Sequence, residues 1–258
     1  MTTLADRFSL KGQTALVTGA SSGLGLHAAG VLAQAGARVL LAARRLDKLQ
    51  AAVAALNAEG LEAHAVELDV NDDGSVVHAF ARIEGRWGPP GIVLNNAGVA
   101  TSAPALAQTE SQWDLVLNTN LKGAWLVATE AARRLQAAGK PGSIVNVASI
   151  LGERVGGAVA PYCASKAGLI HLTKALAQEW ARLGIRVNAL APGYIATELN
   201  RDFLASEPGQ RLMSRIPQRR FGSPSDLDGA LLLLASQAGS YITGSVLAVD
   251  GGHLVSPL

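Results

Sequence analysis

Three residues in the second half of the chain could together move a proton to or from a substrate oxygen. Tyr162 stands four residues before Lys166 and thirteen after Ser149. A phenol is a poor acid or base near neutrality because its usual pKa is about 10, but an ammonium held close favours the phenolate and lowers that pKa. On a helix, the i,i+4 spacing would put Tyr162 and Lys166 on one face, where Ser149 could hold a substrate oxygen near the phenol. An ordinary Tyr–Lys pair on an exposed helix has the same spacing, so this interpretation depends on the rest of the chain.

A second motif lies near the N-terminus and predicts a site for an anion. A short apolar run at 14–17 has strand character, and glycine-rich residues 18–25 lead from it into a helical pattern at 24–35. Such a turn binds phosphate because backbone N–H groups point outward, the helix dipole favours negative charge and glycines let a pyrophosphate approach. The spacing is G-x-x-x-G-x-G rather than the G-x-G-x-x-G of the general dinucleotide fingerprint. A plain glycine-rich turn is the alternative.

The residues of this glycine-rich turn also fit a motif of serine hydrolases. Residues 19–23 satisfy G-x-S-x-G, the nucleophile elbow, with Ser21 as the nucleophile. The elbow needs an oxyanion loop from an earlier strand, yet only twenty residues precede Ser21 and none of them forms an HGGG-like segment. The hydrolase interpretation is therefore set aside.

Further motifs, taken with these two, make the chain similar to the short-chain dehydrogenase/reductase family, in its ketoreductase branch of 3-oxoacyl-carrier-protein-reductase-like enzymes. The resemblance runs from about Leu10 to Gly252. It implies a catalytic tetrad of Asn120, Ser149, Tyr162 and Lys166. The cofactor contacts that it implies, beside Tyr162 and Lys166, are Gly19, Ser21, Ser22, Gly23, Leu24 and Gly25 in the first loop, Asp69 and Val70 after the third strand, Asn96, Ala97 and Gly98 after the fourth, and Pro192, Gly193, Ile195 and Thr197 after the sixth.

The resemblance also implies a mechanism. NADPH would deliver hydride to a carbonyl carbon while Tyr162 donates a proton to its oxygen, and Tyr162 would be the base in the reverse direction. Bringing its pKa from about 10 to near 7 corresponds to about 4 kcal/mol of preferential phenolate stabilisation, supplied by Lys166 and the oxidised nicotinamide. Lys166 would also bind the nicotinamide ribose, and Ser149 would orient the carbonyl oxygen. Asn120 would hold a water that links Lys166 to solvent; Asn118 is a rival, but only Asn120 precedes a Leu-x-Gly.

The choice of cofactor depends on the end of the second strand. An acidic residue there would bind the adenosine ribose hydroxyls and repel a 2′-phosphate. This chain has Ala43 in that place, followed by Arg44 and Arg45, and a guanidinium can bind phosphate with two parallel hydrogen bonds. Solvated arginines at a helix start are the alternative, and Asp47 is close enough to compete for them. We expect NADP(H) to be favoured over NAD(H).

The order of apolar segments predicts an α/β fold, in which a doubly wound Rossmann-type parallel sheet of about seven strands has helices on both faces and forms one domain over 1–258. Strand-like runs at 14–17, 37–42, 62–68, 91–94, 143–147, 186–190 and 245–249 alternate with helical patterns at 24–35, 46–59, 75–86, 112–137, 164–183 and 226–235. Such alternation implies right-handed crossovers. Because ligands bind outside the carboxyl ends of parallel strands, Gly19, Asn96, Ser149 and Pro192 should meet at one edge.

Composition and charge disfavour several other functions. A formal net charge of +2 offers no case for a nucleic-acid partner, and the apolar runs are too short to span a membrane. The chain begins without the apolar stretch of a signal peptide, and a single cysteine, Cys163, fits a reducing compartment. We therefore expect a cytoplasmic protein. The five histidines show no metal-ligand spacing, so a metal-dependent dehydrogenase is disfavoured.

The substrate is expected to be a small carbonyl or alcohol compound covered by the segment 194–221. Apolar residues there and after Ser149 predict an apolar pocket for a ketone or 3-oxoacyl group; they are Leu199, Phe203, Leu204, Met213, Ile150, Leu151 and Val155. Five arginines could meet an acyl carrier protein or the phosphates of a CoA thioester, or could simply be solvated; they are Arg201, Arg211, Arg215, Arg219 and Arg220. An NAD-dependent sugar or alcohol dehydrogenase remains an alternative.

The motifs disfavour two functions other than that of a reductase. A non-catalytic nucleotide sensor on the same fold would usually have lost the tetrad, although the fold alone does not exclude it. A sugar-nucleotide epimerase would be longer and would carry a G-x-x-G-x-x-G loop, which this chain lacks. The helical segments 112–137 and 164–183 hold more Ala and Leu than one face against a sheet needs, so we expect a homotetramer with tight helix pairing, in which the C-terminal residues 251–258 join a second interface.

Overall fold

A seven-stranded parallel sheet lies at the centre of the computed structural model, which describes residues 3–197 and 200–256. The strands are β1 (Thr14–Thr18), β2 (Arg38–Ala43), β3 (Ala63–Glu67), β4 (Ile92–Asn95), β5 (Gly142–Val147), β6 (Ile185–Pro192) and β7 (Val246–Val249). Every strand begins and ends within two residues of its predicted bounds. The predicted doubly wound parallel sheet is confirmed.

The order of the strands creates a crevice at the middle of the sheet. Across the sheet the order is β3-β2-β1-β4-β5-β6-β7, so the chain builds outward from β1 in one direction and then from β4 in the other. β1 is hydrogen-bonded to β2 on one side and to β4 on the other. Ligands of open α/β sheets bind at such a reversal, outside the carboxyl ends of the strands.

Helices cover both faces of the sheet, which explains why the central strands are continuous apolar runs rather than alternating ones. All residues of β1 and β4 are buried. One face packs against α2 (Gly23–Gln34), α3 (Leu46–Ala58) and α10 (Asp228–Ala235), and the other against α4 (Asp73–Trp87), α6 (Gly123–Ala137) and α7 (Ala160–Trp180). The remaining α-helices are α1 (Leu4–Phe8), α5 (Glu110–Leu117), α8 (Arg201–Ala205) and α9 (Glu207–Met213).

Helix α4 shows how local sequence sets these elements. Its buried residues are Val76, Ala79, Phe80 and Ile83, which recur at the spacing of one helix face. The Asp72 carboxylate caps the N-terminus by accepting a hydrogen bond from the Gly74 N–H. The helix ends where Gly88 takes a φ of 80°, a left-handed conformation that glycine adopts at little cost.

Three helices differ from the sequence prediction. The segment 112–137, predicted as one helix, is α5 and α6 joined by a π-helical turn at Asn118–Lys122. Helix α7 begins four residues before the predicted 164–183 and ends at Trp180, where a 3₁₀ turn follows. Asp226 belongs to a 3₁₀ turn, so α10 begins only at Asp228. The two short helices α8 and α9 lie within the segment 194–221, for which no helix was predicted.

None of the helices in the described part of the chain combines the length and the apolar character that crossing a membrane requires. Within the same residues, no group of three or more His, Cys, Asp or Glu side chains is arranged to hold a metal ion.

Candidate active site

The predicted site residues meet at the carboxyl edge of the sheet. Gly19 follows β1, Asn96 follows β4, Ser149 lies just beyond β5, and Gly193 follows β6. Because all seven strands are parallel, these four loops lie on the same edge. The sequence motifs, which are far apart in the chain, are thus brought together by the sheet.

Two of the three glycines in the first loop are required by packing. A Cβ at Gly19 would lie 2.8 Å from the Cα of Ala97, and Gly19 has a φ of 65°. A Cβ at Gly25 would lie 2.4 Å from the side-chain nitrogen of Asn96. Gly23 differs, because its φ is 58° but a Cβ there would meet nothing within 4 Å. The open side of the loop is therefore at Gly23, where a pyrophosphate has room to approach the backbone.

Asn96 and Thr18 hold the glycine loop against the end of β4. The Asn96 amide donates to the backbone carbonyls of Thr18 at 3.0 Å and Gly19 at 3.3 Å. In return, the Thr18 hydroxyl accepts hydrogen bonds from the backbone N–H groups of Asn96 and Ala97, both at 3.1 Å. Thr18 was not among the predicted site residues, although its place directly before Gly19 could have pointed to it. These bonds join the two sides of the crevice between β1 and β4.

The N-terminus of α2 suits an anion. Ser22 is its N-cap residue, but the Ser22 side chain makes no capping hydrogen bond, and the first turn contains no acidic residue. The first N–H groups of a helix have no partner within the helix, and the helix dipole favours negative charge at this end. Ser21 and Leu24 flank this turn and are half-buried, whereas Ser22 and Gly23 are exposed. The donors and the open face at Gly23 fit the pyrophosphate of a dinucleotide.

Tyr162 and Lys166 lie on one face of α7, as their spacing predicted. The Lys166 nitrogen is 5.6 Å from the centroid of the Tyr162 ring and donates a hydrogen bond to the Val147 carbonyl at 2.7 Å. Lys166 is only 4% exposed, and burial lowers its pKa to about 8. The Ser149 hydroxyl accepts a hydrogen bond from the Leu151 N–H at 3.1 Å, which anchors the loop in front of the phenol.

The pKa of Tyr162 runs in the direction opposite to the one predicted. Burial raises the pKa of the phenol, and the Ser149 hydroxyl lowers it by a smaller amount. The reason is that desolvation penalises the phenolate, while the Lys166 ammonium is directed at the Val147 carbonyl. Without a bound cofactor the phenol is therefore a neutral proton donor.

Asn120 lies in the π-helical turn between α5 and α6, and its amide is engaged at both ends. Its oxygen accepts from the Val99 N–H at 2.8 Å, and its nitrogen donates to the Val99 carbonyl at 2.9 Å and to the Ser165 hydroxyl at 3.1 Å. A Cβ at Gly98 would lie 3.3 Å from the Asn120 oxygen and 3.6 Å from the Lys166 nitrogen. Gly98 thus lets Asn120 and Lys166 approach one another, and π-helical turns of this kind are common at functional sites.

The residues predicted to read the adenosine end lie at the ends of β2 and β3. Arg44 and Arg45 are exposed, and in residues 3–197 and 200–256 neither forms a salt bridge, with Asp47 or with any other carboxylate. The Asp69 carboxylate accepts from the Asn71 N–H at 3.0 Å. Val70 is buried, and a Cβ at Gly123 would lie 2.9 Å from it. Two free cations at the end of β2 fit a phosphate group.

The segment after β6 is held in place by its own hydrogen bonds. The Gly193 N–H donates to the Val249 carbonyl at 2.9 Å, directly beyond Pro192. Ile195 is buried and forms an isolated bridge with Gly222. The Asn200 side chain accepts from both the N–H and the hydroxyl of Thr197. Asn200 was not predicted, because its partners are visible only in the folded loop.

A cleft of about 1080 Å³ opens beside these residues. Part of its wall is apolar, as predicted, since Ile150, Leu151 and Val155 line it. The remainder is mostly polar and basic, with Arg154, Arg215, Arg219, Tyr194 and His253 among the lining residues beside Leu212 and Pro217. The expectation of an apolar pocket therefore holds for the loop after Ser149 and for Leu212 and Pro217, but not for the rest of the wall.

The other residues predicted for the substrate segment lie elsewhere. Phe203 is 49% exposed, Leu204 is buried, and neither they nor Met213 line the cleft. Arg211 is paired with Glu207, and Arg220 with Asp226 at 2.6 Å. Arg201 does not line the cleft, and Leu199 lies outside the described residues. Arg154 and His253 were missed because neither stands within a recognisable motif.

Known proteins resemble this chain over nearly its whole length. A family described as enoyl-(acyl carrier protein) reductase matches residues 19–253. The gluconate 5-dehydrogenase of Gluconobacter oxydans (strain 621H) is 41% identical over 252 residues, which cover 97% of this chain and 98% of that one. The chain belongs to the short-chain dehydrogenase/reductase family.

Two further members of the short-chain dehydrogenase/reductase family extend the comparison. The 3-oxoacyl-[acyl-carrier-protein] reductase of Thermotoga maritima is 37% identical over 248 residues, covering 95% of this chain and 99% of that one. A crystal structure of a gluconate 5-dehydrogenase from Burkholderia cenocepacia J2315, in complex with NADP and tartrate, has a TM-score of 0.95 and 37% identity, covering 99% of this chain and 100% of that one. As a member of this family, the chain is an oxidoreductase that acts on CH–OH groups.

Proposed function

We propose that this protein is an NADP(H)-dependent oxidoreductase that interconverts a secondary hydroxyl group and a ketone on a sugar acid. The observation that carries the proposal is the placement of Tyr162, Ser149 and the buried Lys166 beside a cleft with basic residues on its wall. The first three supply the chemistry, and the cleft supplies room for a polar, anionic substrate. Relatives named for gluconate oxidation support this substrate class.

Tyr162 is the proposed acid and base. In the direction of oxidation, the phenolate takes the proton from the substrate hydroxyl as the O–H bond breaks; in reduction, the phenol gives the proton to the carbonyl oxygen. Ser149 holds that oxygen by hydrogen bonding, which stabilises the charge that develops on it. When bound, NADP(H) supplies the remaining part of the chemistry, which is the transfer of a hydride to or from the carbon that carries this oxygen.

Lys166 and Asn120 support this proton transfer. A charged Lys166 beside the ring favours the phenolate form of Tyr162, and the Val147 carbonyl fixes the position of its nitrogen. Both ends of the Asn120 amide are engaged by Val99 and Ser165. We therefore assign any water that links Lys166 to solvent to the backbone of the π-helical turn, rather than to the Asn120 side chain.

The cofactor is held, in this proposal, by residues along the carboxyl edge of the sheet. The uncapped start of α2 binds the pyrophosphate, with Gly23 leaving room for it. Asp69 and Val70 lie at the adenine, residues 96–98 line the crevice, and residues 192–197 lie at the nicotinamide end. Arg44, helped by Arg45, binds the 2′-phosphate, which favours NADP(H) over NAD(H). The segment 194–221 borders the substrate. We expect the whole chain to form a single domain and the protein to be cytoplasmic.

Reduction of a 3-oxoacyl thioester is the second candidate function. It is favoured by Ile150, Leu151 and Val155, which make one wall of the cleft apolar, and by the similarity to a 3-oxoacyl reductase. In that case the basic residues of the cleft would meet the phosphates of a CoA thioester or an acyl carrier protein.

A substrate panel separates these functions. Purified protein is assayed with gluconate-type sugar acids, neutral sugar alcohols and 3-oxoacyl thioesters, each with NADP(H) and NAD(H) in parallel, by the absorbance of the reduced nicotinamide. We expect the highest kcat/KM with a sugar acid and NADP⁺. A higher kcat/KM with the thioesters would favour the second candidate, and turnover with none of them would overturn both.

A further inference from the structure

One end of the cleft is basic and has no role in the proton transfer proposed above. The cleft runs from the loop after Ser149, past Tyr194, to the C-terminal turn at His253. The Tyr194 and His253 rings lie with their centroids 5.7 Å apart. Three arginines line the cleft, whereas no Asp or Glu does so among the residues that the structure describes. A concave surface with cations and no carboxylate of its own favours an anion.

Arg154 is connected to Ser149 by a short hydrogen-bonded turn. Ser149 is the N-cap of a 3₁₀ turn at Ile150–Gly152, and the backbone N–H of Arg154 donates a hydrogen bond to the Ile150 carbonyl at 2.8 Å. One terminal nitrogen of Arg154 donates to the His253 carbonyl and, at 3.2 Å, to the Ser256 hydroxyl. The described residues offer no partner to its remaining donors. Since a guanidinium has five N–H donors, Arg154 can bind an anion while it stays anchored.

Arg215 lines the same cleft and comes from the segment 194–221. It is exposed, and within residues 3–197 and 200–256 its side chain has neither a hydrogen bond nor a salt bridge. The pKa of His253, which is only 7% exposed, is lowered by burial and by the positive charges of Arg154 and Arg215, against the opposing effect of the Asp250 carboxylate. Both guanidinium groups therefore act on His253, which lines the same cleft. The Nδ1 atom of His253 has no hydrogen-bond partner in the described structure.

We infer that Arg154 and Arg215 form a carboxylate subsite, which holds the acid group of the substrate while its reacting hydroxyl lies at Ser149 and Tyr162. This inference rests on the proposed function, because it names the part of the site that selects an acid over a neutral sugar. A guanidinium binds a carboxylate with charge-assisted hydrogen bonds, which are stronger than bonds between neutral groups. A neutral sugar alcohol leaves both cations without a partner, so the subsite discriminates against it.

The test is a comparison of acid and neutral ligands in arginine variants. In Arg215→Ala, the KM for a sugar acid should rise about 10- to 100-fold, as expected for the loss of a charged hydrogen bond, while kcat and the KM for the matching sugar alcohol change little. Arg215→Lys should recover part of the affinity. Arg211→Ala is the matched control, since Arg211 is exposed and paired with Glu207 outside the cleft. Equal losses for acid and alcohol in Arg215→Ala would overturn the subsite.

A binding measurement separates the subsite from the proposed reaction. Tartrate and threitol share a four-carbon skeleton and differ in charge, and their binding to the full-length protein with NADP⁺ is measured by calorimetry. We expect tartrate to bind wild type more tightly than threitol, and both Arg154→Met and Arg215→Ala to lose that preference. If Arg154→Met fails to fold because it anchors the C-terminal turn, Arg215→Ala decides alone. No preference for tartrate in wild type overturns the subsite; a preference without sugar-acid turnover upholds the subsite and overturns the proposed substrate.

Discussion

The Lys166 nitrogen lies 5.6 Å from the centroid of the Tyr162 ring. This relationship is set by two elements, since both side chains project from α7 and the Lys166 nitrogen is fixed by the Val147 carbonyl at the end of β5. Burial acts on both groups, lowering the pKa of Lys166 to about 8 and raising that of Tyr162. Burial therefore favours the neutral forms of both side chains, compared with the same groups in water. A bound anionic or cationic group can shift the two pKa values.

Removal of the Tyr162 hydroxyl should stop catalysis and spare cofactor binding. Tyr162→Phe keeps the ring but removes the phenolic proton beside Ser149, so we expect kcat to fall by at least about 100-fold, in the range of general acid–base catalysis. The Kd for NADPH, measured by fluorescence titration, should change little. Tyr241→Phe is the control, because Tyr241 is fully exposed and its variant should retain full activity. Near-normal turnover in Tyr162→Phe would end the proposed mechanism.

Burial of Lys166 should make the stability of the cofactor-free protein depend on pH. The pKa is about 8 in the folded protein and 10.5 in the unfolded chain, so between these values the unfolded chain binds more protons and the free energy of unfolding rises with pH. Lys166→Met removes this dependence. Relative to that variant, wild type should gain stability between pH 8 and 10, by up to about 3 kcal/mol for the full shift.

Urea denaturation of both proteins at pH 7, 8, 9 and 10 measures this difference. The pH series stops near 10 because the raised pKa of Tyr162 acts in the opposite direction above its usual value. Parallel stability curves for wild type and Lys166→Met across the series would show that the buried nitrogen does not titrate as inferred.

Gly25 should be intolerant of a methyl group, unlike Gly30 on the same helix. The Cβ of Gly25→Ala would lie 2.4 Å from the Asn96 nitrogen and 2.5 Å from the Gly19 carbonyl oxygen, so the glycine loop must move. We expect a loss of about 1–3 kcal/mol in the free energy of unfolding and weaker NADPH binding. In Gly30→Ala the Cβ would make an ordinary 3.7 Å contact with Leu56, and stability should rise by about 0.4–1 kcal/mol. The opposite ranking by thermal denaturation would contradict this assignment.

The sheet and the meeting of the motifs could be predicted from sequence because they depend on local patterns. Each strand is an apolar run, and each motif follows the end of a strand, so a parallel sheet must bring them to one edge. The π-helical turn could not be predicted, since Asn120 is held by Val99, which lies 21 residues earlier in the chain. The upward shift in the pKa of Tyr162 could not be predicted either, because it depends on burial by distant segments. The basic cleft combines Arg154, Arg215 and His253, whose proximity only the fold reveals.

The homotetramer expected from sequence remains a prediction. Trp113 and Leu115 on α5 and Trp125 on α6 are 42–47% exposed, and large exposed apolar groups of this kind mark interaction surfaces. Light scattering at micromolar concentration should give a mass of about four chains, and Trp125→Glu should lower it. Leu4→Glu is the control, because Leu4 is exposed on α1. A monomeric mass for wild type would refute the assembly.

The preference for NADPH should depend on Arg44. A hydrogen bond to a charged group contributes about 1.5–3 kcal/mol, so its loss in Arg44→Ala should raise the KM for NADPH about ten- to a hundredfold and leave that for NADH nearly unchanged. Ala43→Asp should go further, because it repels the 2′-phosphate and gives the free ribose hydroxyl a partner. Lys48→Ala is the control, since Lys48 is an exposed cation on α3, the helix that begins two residues after Arg44. If wild type instead shows a higher kcat/KM with NADH, the arginines are ordinary surface residues. Asp47 and Glu67, which is exposed and in register with Ala43, would then be the residues that select the cofactor.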